Sequence, residues 1–331
     1  MGKNKVRVAV IGGGNMGSNH MRNYAKLPTV ELVALADTNN ETQRLAKQHK
    51  AHYYQDYKKM LSENEIDAVS IVVPTKLHYK IGAEVIKQGI HCLIEKPITG
   101  TVNEAERLIK LAKQHKIILT VGHIERFNPV VRKLKELIDK NQLGEVTSIV
   151  AKRVGLPRAE PKTDVILDLA VHDIDLISYL LGCAPQRVYS HGSHTRHRYR
   201  LDSTEILLDY GRASGFIQAN WVTPVKVRNI SITGSDGYAE GNYITQELKL
   251  SLHQLSRPAM GFNDFVSSFG EPKTRKVPVS FKEPLVLELA AFVNAIRTGH
   301  VADIVPPIAG LEALKIALAA VRQHNRAGVR I

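Results

Sequence analysis

The first third of the chain alternates short apolar runs with segments in which apolar residues recur every three or four positions. The runs KVRVAVIG, VELVALAD, DAVSIVVP, GIHCLIEKP and KIILTVG are rich in β-branched residues, and we predict strands at 5–12, 30–37, 67–74, 89–97 and 116–122. Between them, segments such as NNETQRLAKQHK and TVNEAERLIKLAKQHK have helical periodicity and charged outer faces. This alternation predicts an α/β fold with a doubly wound parallel sheet.

After about Asn128 the pattern changes to longer runs of alternating apolar and polar residues, separated by turn residues. These runs are PQRVYSHG, STEILLDYG, SGFIQANWVT, KVRNISITGSDG and YAEGNYITQELKLSL. They predict an open, mainly antiparallel sheet in an α+β domain, followed by two helices around 284–298 and 308–323. The segment 256–276 is predicted to be a mobile loop. The length is that of two domains, which we place at 1–123 and 124–331.

One segment of the second domain carries acidic residues and a histidine within an otherwise apolar stretch. If DLAVHDIDL (168–176) is a helix with about 100° per residue, Asp168, His172 and Asp175 fall within roughly 60° of one another. A helix that is apolar on its other sides is usually buried, and buried charges must be paired, neutralised or turned toward a cleft. The polar stripe is therefore either a structural seam, with Asp168 favoured by the helix dipole, or part of a functional site.

The composition is that of a globular protein. Of 331 residues, 44% are hydrophobic and 23% are charged, no apolar run is long enough to span a membrane, and the opening MGKNKVRVAVIG has no secretory leader. We therefore expect a cytoplasmic protein. Its two cysteines supply neither a disulfide framework nor a pair of metal ligands, so no metal is expected.

The formal net charge of +13 indicates attraction to anions without identifying them. Nucleic acid is one candidate, but the chain has no zinc-finger spacing, no basic arm and no aromatic RNA-binding signature. A phosphorylated substrate or cofactor would be attracted by the same charge. We therefore expect a small-molecule partner and no nucleic acid.

A glycine-rich motif directly follows the first predicted strand and opens the next helix. Gly12, Gly14 and Gly17 form GxGxxG. In this pattern the first glycine permits a tight turn, the second lets the backbone approach a pyrophosphate, and the third allows close helix packing. The amino terminus of the helix, near Asn15 and Met16, would direct partial positive charge toward the phosphates. The motif predicts a dinucleotide-binding loop.

An aspartate follows the glycine motif at the distance expected for a dinucleotide-binding site. Asp37 ends the second predicted strand, 20 residues after Gly17, and a carboxylate at this distance is expected to receive the hydroxyls of the adenosine ribose. Because a carboxylate repels a 2′-phosphate, the sequence favours NAD over NADP as the cofactor. Arg44 is close enough in sequence to weaken that preference.

A lysine stands at the ligand-binding edge of the predicted parallel sheet. Glu95, Lys96 and Pro97 form EKP at the carboxyl end of the strand GIHCLIEKP, and ligands of doubly wound sheets bind at this edge. The lysine is either a solvated charge or a hydrogen-bond donor to a substrate oxygen. In the second case its positive charge would lower the pKa of the substrate hydroxyl.

Together these motifs resemble those of a known family. VAVIGGGNMG with Asp37, VVPTKLHY, EKPIT, GHIERFNP and DLAVHDID follow one another as in the glucose-fructose oxidoreductase, inositol dehydrogenase and rhizopine-catabolism (Gfo/Idh/MocA) family of NAD(P)-dependent sugar and cyclitol oxidoreductases. The resemblance implies an NAD-binding Rossmann domain over 1–123. It implies a substrate-binding and oligomerisation domain over 124–331, in a homodimer or homotetramer.

The resemblance also implies catalytic roles. Lys96 corresponds to the active-site lysine of the family, and Asp168 and His172 correspond to its Asp-x-x-x-His pair, which would face the nicotinamide across the cleft between the domains. Oxidation of a secondary alcohol requires a base for the hydroxyl proton while hydride leaves the carbon, and His172 suits that role. Asp168 would orient the imidazole or relay the proton, and Lys96 would hold the same oxygen.

Six further positions follow from the same resemblance, and each could equally be structural. The residues expected to line the cofactor are Thr75, His78 and Glu95, with Glu95 at the nicotinamide ribose. The residues expected near the substrate are His123, Arg126 and Asn128 of GHIERFNP.

The stretches GHIERFNPVVRKLKEL and ILDLAVHDIDLISYLLG most resemble the branch that acts on nucleotide sugars, notably UDP-N-acetylglucosamine 3-dehydrogenases. The basic stretch HGSHTRHRYR (191–200), if extended, projects His194, Arg196, Arg198 and Arg200 to one face. That face would bind the diphosphate, contact a neighbouring subunit or lie in solvent. Its histidines are a poor metal site, because no carboxylate or thiolate accompanies them.

Two other functions stay open. The first is a dehydrogenase for free inositol or aldose, which would need no phosphate contacts. The second is a regulator that senses the dinucleotide without catalysis, although the presence of Lys96, Asp168 and His172 argues against it.

Overall fold

The computed structural model describes residues 5–157, 161, 163–252 and 274–324. By contacts the chain forms two compact units, Met1–Phe127 with Lys282–Lys315, and Asn128–Phe281 with Ile316–Ile331. Residues 282–315, which the sequence analysis assigned to the second domain, therefore pack with the first unit. Residues 256–273 of the predicted mobile loop lie outside the described residues.

The strands and α-helices of the described residues are numbered in chain order. The strands are β1 (Val6–Ile11), β2 (Val30–Ala36), β3 (His52–Tyr54), β4 (Ala68–Ile71), β5 (His91–Glu95), β6 (Leu119–Gly122), β7 (Val146–Val154), β8 (Arg187–Ser193), β9 (Ser203–Asp209), β10 (Ser214–Asn220), β11 (Val227–Gly234), β12 (Gly237–Asn242), β13 (Glu247–Leu252) and β14 (Thr274–Val277). The α-helices are α1 (Asn15–Tyr24), α2 (Gln43–Gln48), α3 (Tyr57–Glu63), α4 (His78–Lys87), α5 (Val102–Gln114), α6 (Pro129–Asp139), α7 (Val171–Leu181), α8 (Pro284–Thr298) and α9 (Pro307–His324).

The sheet of the first unit has the order β3-β2-β1-β4-β5-β6, and all of its strands are parallel. The five strands predicted from the sequence are confirmed, whereas the short β3 was not predicted. The strand order reverses between β1 and β4. The carboxyl ends of these two strands therefore form the crevice in which doubly wound sheets bind ligands.

Both faces of this sheet are covered by helices. Ala9 and Ile11 of β1 belong to an apolar cluster with α4 and α5, whereas the alternating Val8 and Val10 belong to a second cluster with α1. The second cluster also contains Phe292 of α8. This packing is the reason that the α8 segment joins the first unit.

The sheet of the second unit has the order β14-β13-β12-β11-β7-β10-β9-β8. Among the described strands of this second sheet only β7 and β10 pair in parallel, so the predicted open, mainly antiparallel sheet is confirmed. The central strand β7 was not predicted. Helix α7 packs on β7 and β10 and covers one face of the sheet.

In the part of the chain that the structure describes, no helix combines the length and the apolar character needed to cross a membrane. Within the same residues, no three His, Cys, Asp or Glu side chains are grouped so that they could hold a metal ion.

Candidate active site

The glycine loop connects β1 to α1 and lies against the end of β4. Gly12 has φ +103, a conformation that other residues rarely adopt, and a Cβ on it would overlap the carbonyl oxygen of Val72. A Cβ on Gly17 would overlap the carbonyl oxygen of Gly12. Helix α1 begins directly after Gly14, with Asn15 exposed and Met16 half-buried at its first turn. Backbone alone can therefore line this turn, which fits the approach of a pyrophosphate.

Asp37 lies beside the same loop. It follows β2, and its carboxylate accepts hydrogen bonds from the backbone N–H of Gly13 and, at 2.8 Å, of Asn39. A carboxylate has about four acceptor positions, so acceptor capacity remains for ribose hydroxyls. The glycine loop and Asp37 thus fit a dinucleotide whose adenosine ribose is recognised by a carboxylate.

His78 connects the loop after β4 to the loop after β5. Its Nδ1 lies 2.8 Å from the carbonyl oxygen of Pro97 and its Nε2 lies 2.8 Å from that of Val73. Burial lowers the pKa of His78, so the neutral ring donates to one of these carbonyls at a time. Thr75 is half-buried in the short 3₁₀ turn before α4. Contacts of Thr75 and His78 with the cofactor stay predictions.

Glu95 and Lys96 end β5 in different surroundings. Lys96 is half-buried, whereas Glu95 is only 8% exposed and contacts the buried His20 of α1. The expected contact of Glu95 with the nicotinamide ribose stays a prediction. His20 was missed by the sequence analysis, although its spacing from Gly17 and Tyr24 places it on the buried side of α1.

The three predicted substrate-binding residues of the motif GHIERFNP lie in different compact units. His123, 2% exposed, follows β6, and the half-buried Arg126 lies in the turn Ile124–Phe127 of the first unit. Asn128 belongs to the second unit and caps α6, where its side-chain oxygen accepts the N–H of Val130 at 3.1 Å. Its amide nitrogen donates to the carbonyl of Tyr243 at 3.1 Å. These contacts give Asn128 a structural role, and substrate contacts of all three residues stay predictions.

Asp168 lies in a turn that is wider than an α-helical turn. Residues Ile166–Ala170 are π-helical, the N–H of Val171 donates to the carbonyl of Ile166, and α7 follows directly. The regular spacing assumed for Asp168 and His172 is therefore wrong, because i→i+5 bonding takes more residues per turn than i→i+4 bonding. Both side chains are half-buried, while Asp175 is 2% exposed. π-Helical turns are frequent at functional sites.

An ion pair that the sequence analysis missed holds the first turn of α7 on the sheet. Arg153 of β7 donates to both carboxylate oxygens of Asp173, at 2.7 and 2.9 Å. Both side chains are buried, and the guanidinium lies 5.4 Å from the centre of the Tyr243 ring. Because Asp173 is the neighbour of His172, the pair fixes the backbone that carries the predicted base.

The basic stretch after β8 is a loop and not an extended strand. The buried carboxylate of Asp202 accepts backbone N–H groups of Thr195, Arg196 and His197, which turns the chain after Ser193. The end of this loop lies next to the start of the π-helix, because the N–H of Val165 donates to the carbonyl of Leu201 at 3.2 Å. The prediction that its arginines alternate along a strand is therefore wrong. We call residues 194–201 the basic loop.

Comparisons with known proteins agree with this architecture. Residues 6–123 match the model of the Gfo/Idh/MocA oxidoreductase family with an NAD-binding Rossmann fold, and residues 131–240 match the model of the family's C-terminal domain. A UDP-N-acetylglucosamine 3-dehydrogenase from Acidithiobacillus ferrooxidans is 29% identical over 318 residues, which cover 95% of each protein. A scyllo-inositol 2-dehydrogenase (NAD(+)) from Bacillus subtilis is 27% identical over 316 residues, which cover 90% of this chain and 88% of that protein.

The solved structure of the Acidithiobacillus ferrooxidans UDP-N-acetylglucosamine 3-dehydrogenase matches with a TM-score of 0.83 at 26% identity, covering 96% of this chain and 97% of that one. The two family models match adjacent parts of this chain, one in each compact unit. The chain therefore belongs to the Gfo/Idh/MocA family of oxidoreductases, and residues 6–123 carry its NAD-binding Rossmann fold.

Proposed function

We propose that this enzyme oxidises a secondary hydroxyl of a sugar with NAD, and that the sugar is a nucleotide sugar such as UDP-N-acetylglucosamine, oxidised at its 3-hydroxyl. The observation that carries the proposal is the similarity to the 3-dehydrogenase for this substrate, which spans 95% of both chains. Free inositol or aldose is the second candidate, because the chain is also similar to an inositol dehydrogenase over 90% of its length.

Three side chains are proposed to carry the chemistry. NAD, when bound, accepts hydride from the carbinol carbon. The ammonium of Lys96 donates a hydrogen bond to the alcohol oxygen and stabilises the negative charge that develops there. The imidazole of His172 accepts the hydroxyl proton, and Asp168 orients that ring.

The basic loop supports a phosphorylated substrate. It adjoins the start of the π-helix that carries Asp168, and it presents Arg196 and Arg198 to solvent. Among the described residues neither arginine has a carboxylate within ion-pair distance, and Arg198 lies over the ring of Tyr199 at 5.5 Å. Arginines without a carboxylate partner are suited to bidentate contacts with phosphate. We propose that Arg196 and Arg198 contact the diphosphate of the substrate.

The test is a substrate panel followed through NADH absorbance. UDP-sugars, free hexoses and inositols are each incubated with the enzyme and NAD at low and high ionic strength. We expect turnover to require a UDP-sugar and KM to rise with salt, because screening weakens the attraction for an anion. His172→Ala should lower kcat on the order of 10²- to 10⁴-fold. The matched control is His115→Ala, an exposed histidine at the end of α5, and it should leave kcat unchanged.

Each of the other outcomes selects a different function. Turnover of unphosphorylated polyols alone would reject the nucleotide-sugar assignment and support the second candidate. NAD binding without turnover of any sugar would support the regulator. If a UDP-sugar is turned over, Arg196→Ala and Arg198→Ala should raise KM for it and reduce the salt dependence of that KM. Arg212→Ala is the matched control, because Arg212 is exposed in the same unit, and it should change neither.

An oligomer is part of the proposal, since one face of the second unit's sheet carries adjacent exposed apolar residues. Val150, Phe216, Leu207 and Tyr189 are aligned across β7, β10, β9 and β8 and are each about two-fifths exposed (40, 39, 41 and 42%). A contiguous apolar row of this kind is typical of an interface. We propose that it joins two copies of the chain. The cytoplasmic location stays a prediction.

A further inference from the structure

A buried histidine of α1 contacts the residue that precedes Lys96. His20 is fully buried, and its Nε2 lies 3.1 Å from Oε1 of Glu95, the last residue of β5. Burying the Glu95 carboxylate costs free energy that one hydrogen bond offsets only in part. The His20–Glu95 pair lies between the helix of the glycine loop and the proposed active-site lysine. This position indicates a role other than stability.

The neighbouring strand leaves space for the Glu95 carboxylate. Gly122 of β6 is paired with Glu95 in the sheet, and a Cβ at this position would lie 2.9 Å from the Glu95 carboxyl carbon. A larger residue would therefore push the carboxylate away from its present position. The absence of a side chain at Gly122 therefore leaves room for the Glu95 carboxylate in the interior.

The same carboxylate contacts Lys96. Its Oε2 accepts the backbone N–H of Lys96 at 3.2 Å. Burial raises the pKa of Glu95, but the hydrogen bond from His20, the positive charge that this imidazole can carry and the positive charge of Lys96 outweigh burial and bring that pKa below its usual value. Glu95 is therefore ionised at neutral pH, next to the Lys96 ammonium.

The second ring nitrogen of His20 indicates where its proton lies. Nδ1 is buried and has no hydrogen-bond partner among the described residues. A proton on Nδ1 would be a buried donor without an acceptor, which is unfavourable. The proton therefore lies on Nε2, which donates to Glu95, and the carboxylate keeps its full negative charge.

We propose that His20 and Glu95 are positioning residues for Lys96. His20 orients the Glu95 carboxylate, and the carboxylate holds the Lys96 backbone in place through its N–H. Neither residue contacts the reacting atoms. This inference rests on the proposed role of Lys96 as the hydrogen-bond donor to the substrate oxygen.

Kinetics of three variants test the pair. Glu95→Gln keeps the shape but removes the charge, and we expect kcat to fall about tenfold or more. His20→Leu should lower kcat similarly while KM for NAD changes less than about threefold, because His20 is not among the residues expected to line the cofactor. His20→Gln places an amide N–H near the position of Nε2 and should stay within about threefold of the wild-type kcat. Wild-type kcat in both Glu95→Gln and His20→Leu, or equal loss in both His20 variants, would overturn the inference.

A second readout does not depend on sugar turnover. Lysines are labelled competitively with acetic anhydride at fixed pH and quantified by mass spectrometry. We expect the rate at Lys96 to change by about twofold or more in Glu95→Gln, because a carboxylate accepts the Lys96 N–H more strongly than an amide oxygen does and so holds this residue in place. Lys110, exposed on α5, is the internal control and should not change. An unchanged rate at Lys96 refutes the inference, whereas absence of wild-type turnover with every sugar refutes only the proposed function.

Discussion

Asp37 is the residue on which we expect the choice of cofactor to depend. Its carboxylate is held at the glycine loop by two backbone N–H groups, and there it would accept ribose hydroxyls and repel a 2′-phosphate. Asp37→Ser should raise KM for NAD about tenfold or more, as expected when a charged hydrogen bond is lost. Initial rates with NAD and NADP measure the effect. The kcat/KM ratio of NAD to NADP should fall, and an unchanged ratio would show that another group selects the cofactor.

The residues that could be predicted from the sequence are those whose surroundings are local. Gly12 and Asp37 are a few residues from the strand ends that position them, so motif spacing is sufficient to identify them. His20 depends on Glu95, 75 residues later, and Arg153 depends on Asp173, 20 residues later and on another element. Such partners are brought together only by the fold, and one sequence does not reveal them.

At the scale of elements, the Arg153–Asp173 pair attaches α7 to β7. Removing one partner of a buried pair leaves an uncompensated charge, at a cost of roughly 3–5 kcal/mol, whereas replacing both partners by apolar residues is often close to neutral. Asp173→Asn or Arg153→Met should therefore lower the free energy of unfolding by about that amount, and Arg153→Met with Asp173→Leu should recover much of it. Urea denaturation measures all three variants. Single variants within about 0.5 kcal/mol of wild type would contradict the assignment.

The same pair explains why β7 was not predicted. Its inward positions include Ile149, Ala151 and Arg153, whereas the apolar Val150 faces outward and is 40% exposed. The usual contrast between apolar inner and polar outer positions is therefore absent. The π-helical turn before α7 was not predicted either, because the residues Ile166–Ala170 are as compatible with a regular α-helix as with a π-helix.

At the scale of the whole molecule, one buried and three half-buried histidines predict sensitivity to acid. Burial lowers the pKa of His49, His78, His91 and His324. Below about pH 6.5 the unfolded chain then binds protons more readily than the folded chain, so the free energy of unfolding should fall as the pH drops through this value. Urea midpoints between pH 5 and 8 test this, and His78→Gln should flatten the dependence. A midpoint that is constant over this range would contradict the prediction.

The proposed association of two copies of the chain depends on the exposed apolar row of the second unit's sheet. Beyond Val150 the same row continues across the sheet with Ser231, Glu240 and Lys249, so the apolar part has a polar border, as interfaces do.

Phe216→Glu would place a charge in the middle of the apolar part, where burial against a second copy is unfavourable. Light scattering after size-exclusion chromatography should give the mass of a dimer or tetramer for wild type and a smaller mass for Phe216→Glu. Phe281→Glu is the matched control, because Phe281 is 74% exposed outside the sheet, and it should keep the wild-type mass. A monomeric wild type, or a Phe216→Glu variant of unchanged mass, would exclude this face as the interface.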